Sequence, residues 1–374
     1  MIKIPQFVKN LVAYKAGKPI SELAREQNLT KIVKLASNEN PLGPSPKAVE
    51  AIKKAVNGLN RYTDPLSHDL VMAIANKYNV QPNHIICGHG TDSLLAYIVN
   101  AFTTESDEIL TSEGTFIGIY VSIRKYGRKL ITVPLKDYTF DLDAIYDAIT
   151  DKTVMIYLAN PNNPTGTMFE KDAFEAFMAK VPEHIMVILD EAYTTYADDN
   201  PNYPNGIRYD YENMVVTRTL SKAYGLGGLR VGFAVGPDNV IESLYKVKLP
   251  FEPNLLAQHG AIAALDDDEF LLKTKELNKK SLTLLKDGLN KIGIKQVPTS
   301  ANFILALMPT EKFAQEFNEK CMNLGLILRH VNTFGIPKGI RINSGTLEET
   351  EFALEIIEKV YKTLCEKHKE TTNC

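Results

Sequence analysis

Short apolar runs recur along the middle of the chain, each ending in polar or glycine-rich residues. Residues 85–87, 108–111, 129–133, 154–159, 186–189, 214–217 and 231–235 read as strands. Stretches with helical spacing of apolar positions, such as 141–149 and 171–180, fill the gaps. Such alternation predicts an α/β fold around a mainly parallel sheet. Ser45 and Pro46 open a helix, serine as cap and proline at the first position, with Ala48, Val49, Ile52 and Val56 on its apolar face. A further helix is expected over 93–102.

The pattern changes near Lys248-Leu-Pro-Phe-Glu-Pro253. A long charged helix over about 267–292 follows and bridges to a smaller unit. That unit has strands at 302–307 and 339–343 and an amphipathic helix over 347–365, followed by a frayed polar tail. The first forty or so residues read as an arm with one short helix, 21–27. Three segments result: an arm (1–44), a large middle domain (45–265) and a small C-terminal domain (266–374).

Composition narrows the class. The 374 residues are 44% hydrophobic and 23% charged, and the 42 Lys+Arg against 45 Asp+Glu leave a net charge of −3. This calls for neither nucleic acid nor an acidic membrane as partner. No apolar run reaches the roughly 20 residues that span a bilayer, and Met1-Ile-Lys-Ile-Pro5 lacks the long apolar stretch and small-residue cleavage site of a signal peptide, so none is expected. Cys87, Cys321, Cys365 and Cys374 lack metal-site spacing and read as reduced thiols in a cytoplasmic protein; the seven histidines are scattered, so no metal is expected.

Chemistry gathers at the strand ends. Lys222 lies in Thr219-Leu-Ser-Lys-Ala-Tyr-Gly225, between an apolar strand and a glycine-rich turn. A free lysine is protonated at neutral pH and a poor nucleophile, but it can bond an aldehyde as a Schiff base. Asp190 ends the run 185–189, where open α/β sheets bind ligands and where a carboxylate can hold a pyridine nitrogen protonated. Tyr193 follows within reach of the same ring. The turn Asn160-Pro-Asn-Asn-Pro-Thr-Gly166 presents the amide of Asn163. Gly90, Thr91 and Asp92 precede a helix whose first N–H groups suit a phosphate, with Thr219, Ser221 and Arg230 adding donors. Arg329 and Arg341 bracket a glycine-rich stretch and suit a substrate carboxylate or phosphate.

Asn163-Pro-Thr-Gly, Asp190-Glu-Ala-Tyr193 and Ser221-Lys222 with Arg230 resemble, in order and spacing, the fold-type I pyridoxal-phosphate aminotransferases. The resemblance runs from about Lys34 to Thr346. Within that group Asn38-Glu-Asn-Pro-Leu-Gly-Pro44, Arg61-Tyr-Thr-Asp-Pro65, Lys248-Leu-Pro-Phe251, Ser300-Ala-Asn-Phe303 and Arg341-Ile-Asn-Ser-Gly-Thr346 are most similar to the histidinol-phosphate aminotransferases.

The resemblance implies a large domain with a mainly parallel seven-stranded sheet, and a smaller α+β domain built from the C-terminal part and the arm. It implies pyridoxal 5'-phosphate as cofactor, and amino transfer between histidinol phosphate and 2-oxoglutarate in histidine biosynthesis. Lys222 would bond the cofactor and shuttle the proton. Asp190 would pair with the ring nitrogen, Asn163 and Tyr193 with the phenolic oxygen, and Phe116 would stack on the ring. Gly90, Thr91, Asp92, Thr219, Ser221 and Arg230 would surround the phosphate. Tyr62 would reach the neighbouring subunit's cofactor in a homodimer with shared sites. Arg341, helped by Arg329, would bind the substrate anion, and Tyr14 and Asn38 would line the substrate side. The chain departs from the pattern in Gly-His-Gly-Thr-Asp-Ser, where an acidic pair is common, and in Glu113-Gly-Thr-Phe116, where a tyrosine is usual. These departures leave room for an aromatic amino-acid aminotransferase; a phospho-amino-acid decarboxylase on the same fold would keep every cofactor residue.

Overall fold

The computed structural model describes residues 2–11, 23, 29 and 31–369. Its N-terminal segment supplies one short strand, β1 (Val33–Lys34). Seven strands then form the main sheet: β2 (Ile85–Gly88), β3 (Glu108–Ser112), β4 (Lys129–Val133), β5 (Thr153–Ala159), β6 (Met186–Asp190), β7 (Met214–Thr219) and β8 (Gly232–Val235). Their order is β2-β8-β7-β6-β5-β3-β4. Every pairing is parallel except the two made by β8, with β2 and with β7. The expected seven-stranded, mainly parallel sheet is therefore present.

Helices cover both faces, which explains the unbroken apolar runs: Ile156, Tyr157, Leu158, Val187, Ile188 and Leu189 are all sealed from solvent. The register sets Ala159 beside Asp190 and Asp190 beside Thr217. These positions form the carboxyl edge of the sheet, from which the loops rise into the site.

A second sheet contains β9 (Lys295–Val297), β10 (Phe303–Leu307), β12 (Arg329–His330) and β13 (Gly339–Asn343), all antiparallel, in the order β12-β13-β10-β9. β11 (Leu326–Ile327) pairs in parallel with β1, tying the N-terminal segment to this unit. The helices Asp268–Lys291, Glu311–Asn323 and Leu347–Lys367 share a core with it, built on Leu285, Leu289, Phe313, Phe317, Ile340 and Ile357. Thr346 and Glu349 form a capping box that starts the last helix.

Several expectations need correction. The helix expected from residue 93 begins at Gly90, so the Gly90-Thr91-Asp92 segment is its first turn rather than a loop before it. Gly90 adopts φ +75°, which glycine alone tolerates easily. The helix Leu255–Leu265 carries apolar residues on every side and so shows no periodic signal. Cys87 and Cys321 are buried free thiols, but Cys365 is disulfide-bonded, against the reading of four reduced thiols. It sits half-buried near the end of the last helix. The helix expected over 21–27, apart from Leu23, and the tail beyond 369 lie outside the described residues.

Candidate active site

Asp190 ends β6 and is 4% exposed. Its Oδ2 accepts a hydrogen bond from the Tyr157 hydroxyl at 2.7 Å, and its Oδ1 accepts one from the Ala192 N–H at 3.1 Å. Burial pushes this carboxyl up to about 6, and the Tyr157 bond works against that rise. The acid is therefore mostly ionised at neutral pH, inside a site that shields it from water.

Lys222 follows β7. Its Nζ donates to the carbonyl of Ser37 at 3.3 Å. Burial, then the positive charges of Arg341 and Arg230, lower the amine to about 8. Such an amine has an appreciable neutral fraction near pH 7, which a surface lysine lacks. Gly225 closes the turn behind it at φ +69°; a Cβ there would lie 2.0 Å from the Gly43 carbonyl oxygen. The approach of these two backbones requires glycine.

At one end of the cavity the helix Gly90–Phe102 presents its first N–H groups. Arg230, itself at φ +56°, donates to Asp92 at 3.0 Å and to the Gly227 carbonyl at 3.2 Å. A Cβ on Gly90 would meet Arg230 Nη2 at 2.9 Å, so the glycine leaves room for the guanidinium. Thr219 accepts from the Ser221 N–H at 3.1 Å, holding both hydroxyls in one turn.

The other end is built by contacts between the two units. Arg341, 6% exposed, donates to Asn163 Oδ1 at 2.6 Å and to the Ala36 carbonyl at 2.7 Å. Asn38, buried at φ +55°, donates from Nδ2 to the Tyr193 hydroxyl at 2.7 Å. The Tyr193 ring meets Phe303 edge-on at 5.2 Å.

Thr91, Asp92, Phe116, Asn163, Asp190, Tyr193, Thr219, Ser221, Lys222 and Arg230 line a single cavity of about 160 Å³. Gly90 adjoins it through Arg230, Asn38 through Tyr193, and Arg341 through Asn163. Arg329 stands behind Arg341 as its cross-strand neighbour. Tyr62 is not among these lining residues; it is 85% exposed and stacked on Phe251 at 4.5 Å. Tyr14 lies outside the described residues. A larger cleft of about 720 Å³, between the helix Asp268–Lys291 and residues 296–301, holds none of these groups. Among the described residues no group of three or more His, Cys, Asp or Glu is placed to hold a metal ion.

Sequence reading missed three supporting groups. Tyr157 lies inside an otherwise aliphatic strand. Asn162 accepts from Thr115 at 2.8 Å and donates to the Gly114 carbonyl and to Thr165, clamping the segment before Phe116 onto the Asn163 turn. Glu191 and Arg218 form a buried ion pair behind Asp190, with Nε–Oε2 at 2.8 Å. The signal for the last was a charged residue inside each of two apolar strand ends.

The cavity matches pyridoxal phosphate group by group. It offers a buried acid for the ring nitrogen, an amine of lowered basicity for the aldehyde, an amide and a phenol for the phenolic oxygen, and a helix start with hydroxyls and a guanidinium for the phosphate. The fold and this donor set together define a fold-type I aminotransferase. Residues 30–357 match the family described as aminotransferase class I and II, and the chain belongs to that family, as a pyridoxal-phosphate-dependent aminotransferase. It is 40% identical over 358 residues to a histidinol-phosphate aminotransferase of Akkermansia muciniphila, covering 95% of this chain and 98% of that one. Histidinol-phosphate aminotransferase 2 of Hydrogenovibrio crunogenus is 39% identical over 356 residues, 94% of this chain and 95% of its own. Among solved structures, histidinol-phosphate aminotransferase from Sinorhizobium meliloti in complex with pyridoxal-5'-phosphate superposes with a TM-score of 0.90 at 26% identity, covering 97% of this chain and 99% of that one.

Proposed function

We propose that the chain moves an amino group between histidinol phosphate, or imidazole-acetol phosphate, and glutamate or 2-oxoglutarate, acting as a cytoplasmic homodimer in histidine biosynthesis. The observation that carries this reading is the convergence of Lys222, Asp190 and the buried guanidinium of Arg341 on one small site. The names of the curated relatives support the choice of substrate.

When bound, pyridoxal phosphate supplies an aldehyde carbon that takes the amino group and a ring that withdraws electrons. The chain does the rest. Asp190, ionised above about pH 6, would hold the ring nitrogen protonated. Asn163 and Tyr193 would orient the phenolic oxygen, and Phe116 would cover the ring. The start of the helix Gly90–Phe102, with Thr219, Ser221 and Arg230, anchors the phosphate. With the cofactor bound, Lys222 Nζ would take the proton from the carbon bearing the substrate's amino group and later give it up, a task suited to an amine poised near 8. Arg341, with Arg329 behind it, binds the carboxylate of glutamate in one half-reaction and the substrate phosphate in the other.

Leu59, Tyr62, Leu66, Leu249 and Phe251 are exposed on two neighbouring segments, which supports a second copy of the chain over that surface. In that dimer Tyr62 would reach the partner's cofactor phosphate. We divide the chain at about residues 44 and 265 into arm, cofactor-binding domain and small domain. No helix among the described residues is long and apolar enough to cross a membrane.

The test is an amino-transfer assay of histidinol phosphate, phenylalanine, tyrosine and threonine phosphate against 2-oxoglutarate. The highest kcat/KM is expected for histidinol phosphate. A preference for phenylalanine would replace this reading with an aromatic amino-acid aminotransferase.

A further inference from the structure

Tyr157 is fully buried in β5, flanked along the strand by Met155, Ile156 and Leu158. Phenylalanine would fill the same space without burying a hydroxyl, which is unfavourable unless it is bonded. The register explains the hydroxyl. Ala159 is the direct neighbour of Asp190, so Tyr157, two residues earlier, is its diagonal neighbour on the same face of the sheet, within reach of a long aromatic side chain. The phenol donates to Asp190 Oδ2 at 2.7 Å, and the Tyr157 carbonyl is held from β3 by the Thr111 hydroxyl at 2.8 Å. With the Ala192 N–H on Oδ1, each oxygen of the carboxylate has one fixed donor on the protein side, while Asp190 itself lines the cavity.

We propose that Tyr157 is a positioning residue of the active site: its hydroxyl locks the Asp190 carboxylate in place and keeps it an ionised acceptor turned toward the cavity. This rests on the reading of the cavity as a pyridoxal phosphate site. The direction of the bond is fixed, because burial beside Asp190 holds the phenol far above its ordinary range and therefore protonated. The other groups acting on Asp190 are Asp92 on the helix Gly90–Phe102 and Thr217 on β7. Lys222 and Arg230 line the same cavity, as does Tyr193. All of these remain when Tyr157 is changed to phenylalanine, so the comparison isolates one hydroxyl.

The experiment uses apoprotein of the wild type, Tyr157→Phe, Asp190→Asn and the double variant. The Asp190 carboxyl is titrated by difference infrared spectroscopy, its protonated band being the one that Asp190→Asn removes. The wild-type midpoint is expected near 6, and Tyr157→Phe should raise it by about one pH unit, the usual size of a lost bond to a buried carboxylate. Pyridoxal phosphate Kd at pH 7 should rise about tenfold in Tyr157→Phe but not between Asp190→Asn and the double variant. If Tyr157→Phe does not fold, 3-fluorotyrosine at position 157, a stronger donor, should lower the midpoint instead. A purely structural tyrosine would change thermal stability and leave the midpoint where it was; that result overturns the proposal. A wild type that binds no pyridoxal phosphate would overturn the cofactor reading instead, and the apoprotein titration would still decide the role of Tyr157.

Discussion

Arg329 and Arg341 stand directly opposite each other on the antiparallel strands β12 and β13, and both guanidinium groups lie over the ring of Phe334, at 5.7 Å and 6.0 Å. Like charges in that relation repel, and a bound dianion relieves the repulsion. Arg341 also holds Asn163 and the Ala36 carbonyl; on the proposed reading it would serve every substrate, whereas Arg329 would add charge behind it. Arg341→Ala should lower kcat/KM about 100-fold for all donors. Arg329→Ala should raise KM about tenfold for histidinol phosphate and change phenylalanine little. Equal loss on both substrates in steady-state kinetics would remove Arg329 from phosphate binding.

The two displaced acid–base groups give the apoprotein a specific pH dependence. Lys222 falls from 10.5 to about 8 on folding. Between those values the unfolded chain binds more protons than the native one, so stability rises as pH climbs through that window. The gain is at most about 3 kcal/mol, less for solvent screening of a half-buried amine. Asp190 rises from 3.8 to about 6, so in that lower window the native state binds more protons and stability falls as pH rises. Urea unfolding of apoprotein from pH 4 to 10 tests both. Lys222→Met should flatten the upper limb and be more stable than wild type at pH 7, while losing turnover and the visible absorbance of bound cofactor.

The Asn162 side chain joins the Gly114–Thr115 segment to its own turn at Thr165. Asn162→Ala strands the Gly114 carbonyl and the Thr115 hydroxyl in the interior, so a loss of about 2–3 kcal/mol is expected in chemical denaturation. Because Phe116 follows the clamp directly, cofactor dissociation from the same variant should also quicken. Loss of stability without faster release would confine Asn162 to the fold.

The Glu191–Arg218 pair is sealed from water, and Glu191 also accepts from the Gly206 N–H and the Tyr203 hydroxyl. Removing one partner leaves the other charge buried. Arg218→Met should therefore cost about 3–5 kcal/mol, seen as a lower Tm. A variant as stable as wild type would show that Glu191 is neutralised in another way.

Much of the site was legible because parallel strands buried on both faces read as apolar runs, and the first polar residue after each run marks the carboxyl edge of the sheet. Asp190 was found in this way; Asn163 and Lys222 lie a few residues further on, in the turns that leave two such edges. Tyr157 was not, because its meaning depends on the register between β5 and β6, which no local pattern encodes. Asn162 and Asn163 are adjacent and chemically identical; only the fold turns one toward Arg341 and the other toward Thr115. β11 and β12 are two residues long, below any periodic signal, and they form only by docking on β1 and β13.

The segment from Ala36 to Asn40 is a keystone in time as well as in space. Its carbonyls receive Arg341 and Lys222, and its asparagines reach Tyr193, Ala223 and Thr274. It leaves the ribosome well before the residues it binds, and β1 just before it must wait for Leu326 to arrive. The contacts of this segment thus span 155 to 305 residues of chain, an arrangement associated with slow, late consolidation. A newly made chain can hold a finished main sheet and still lack a competent lysine, so the capacity to handle an amine is among the last properties the molecule acquires.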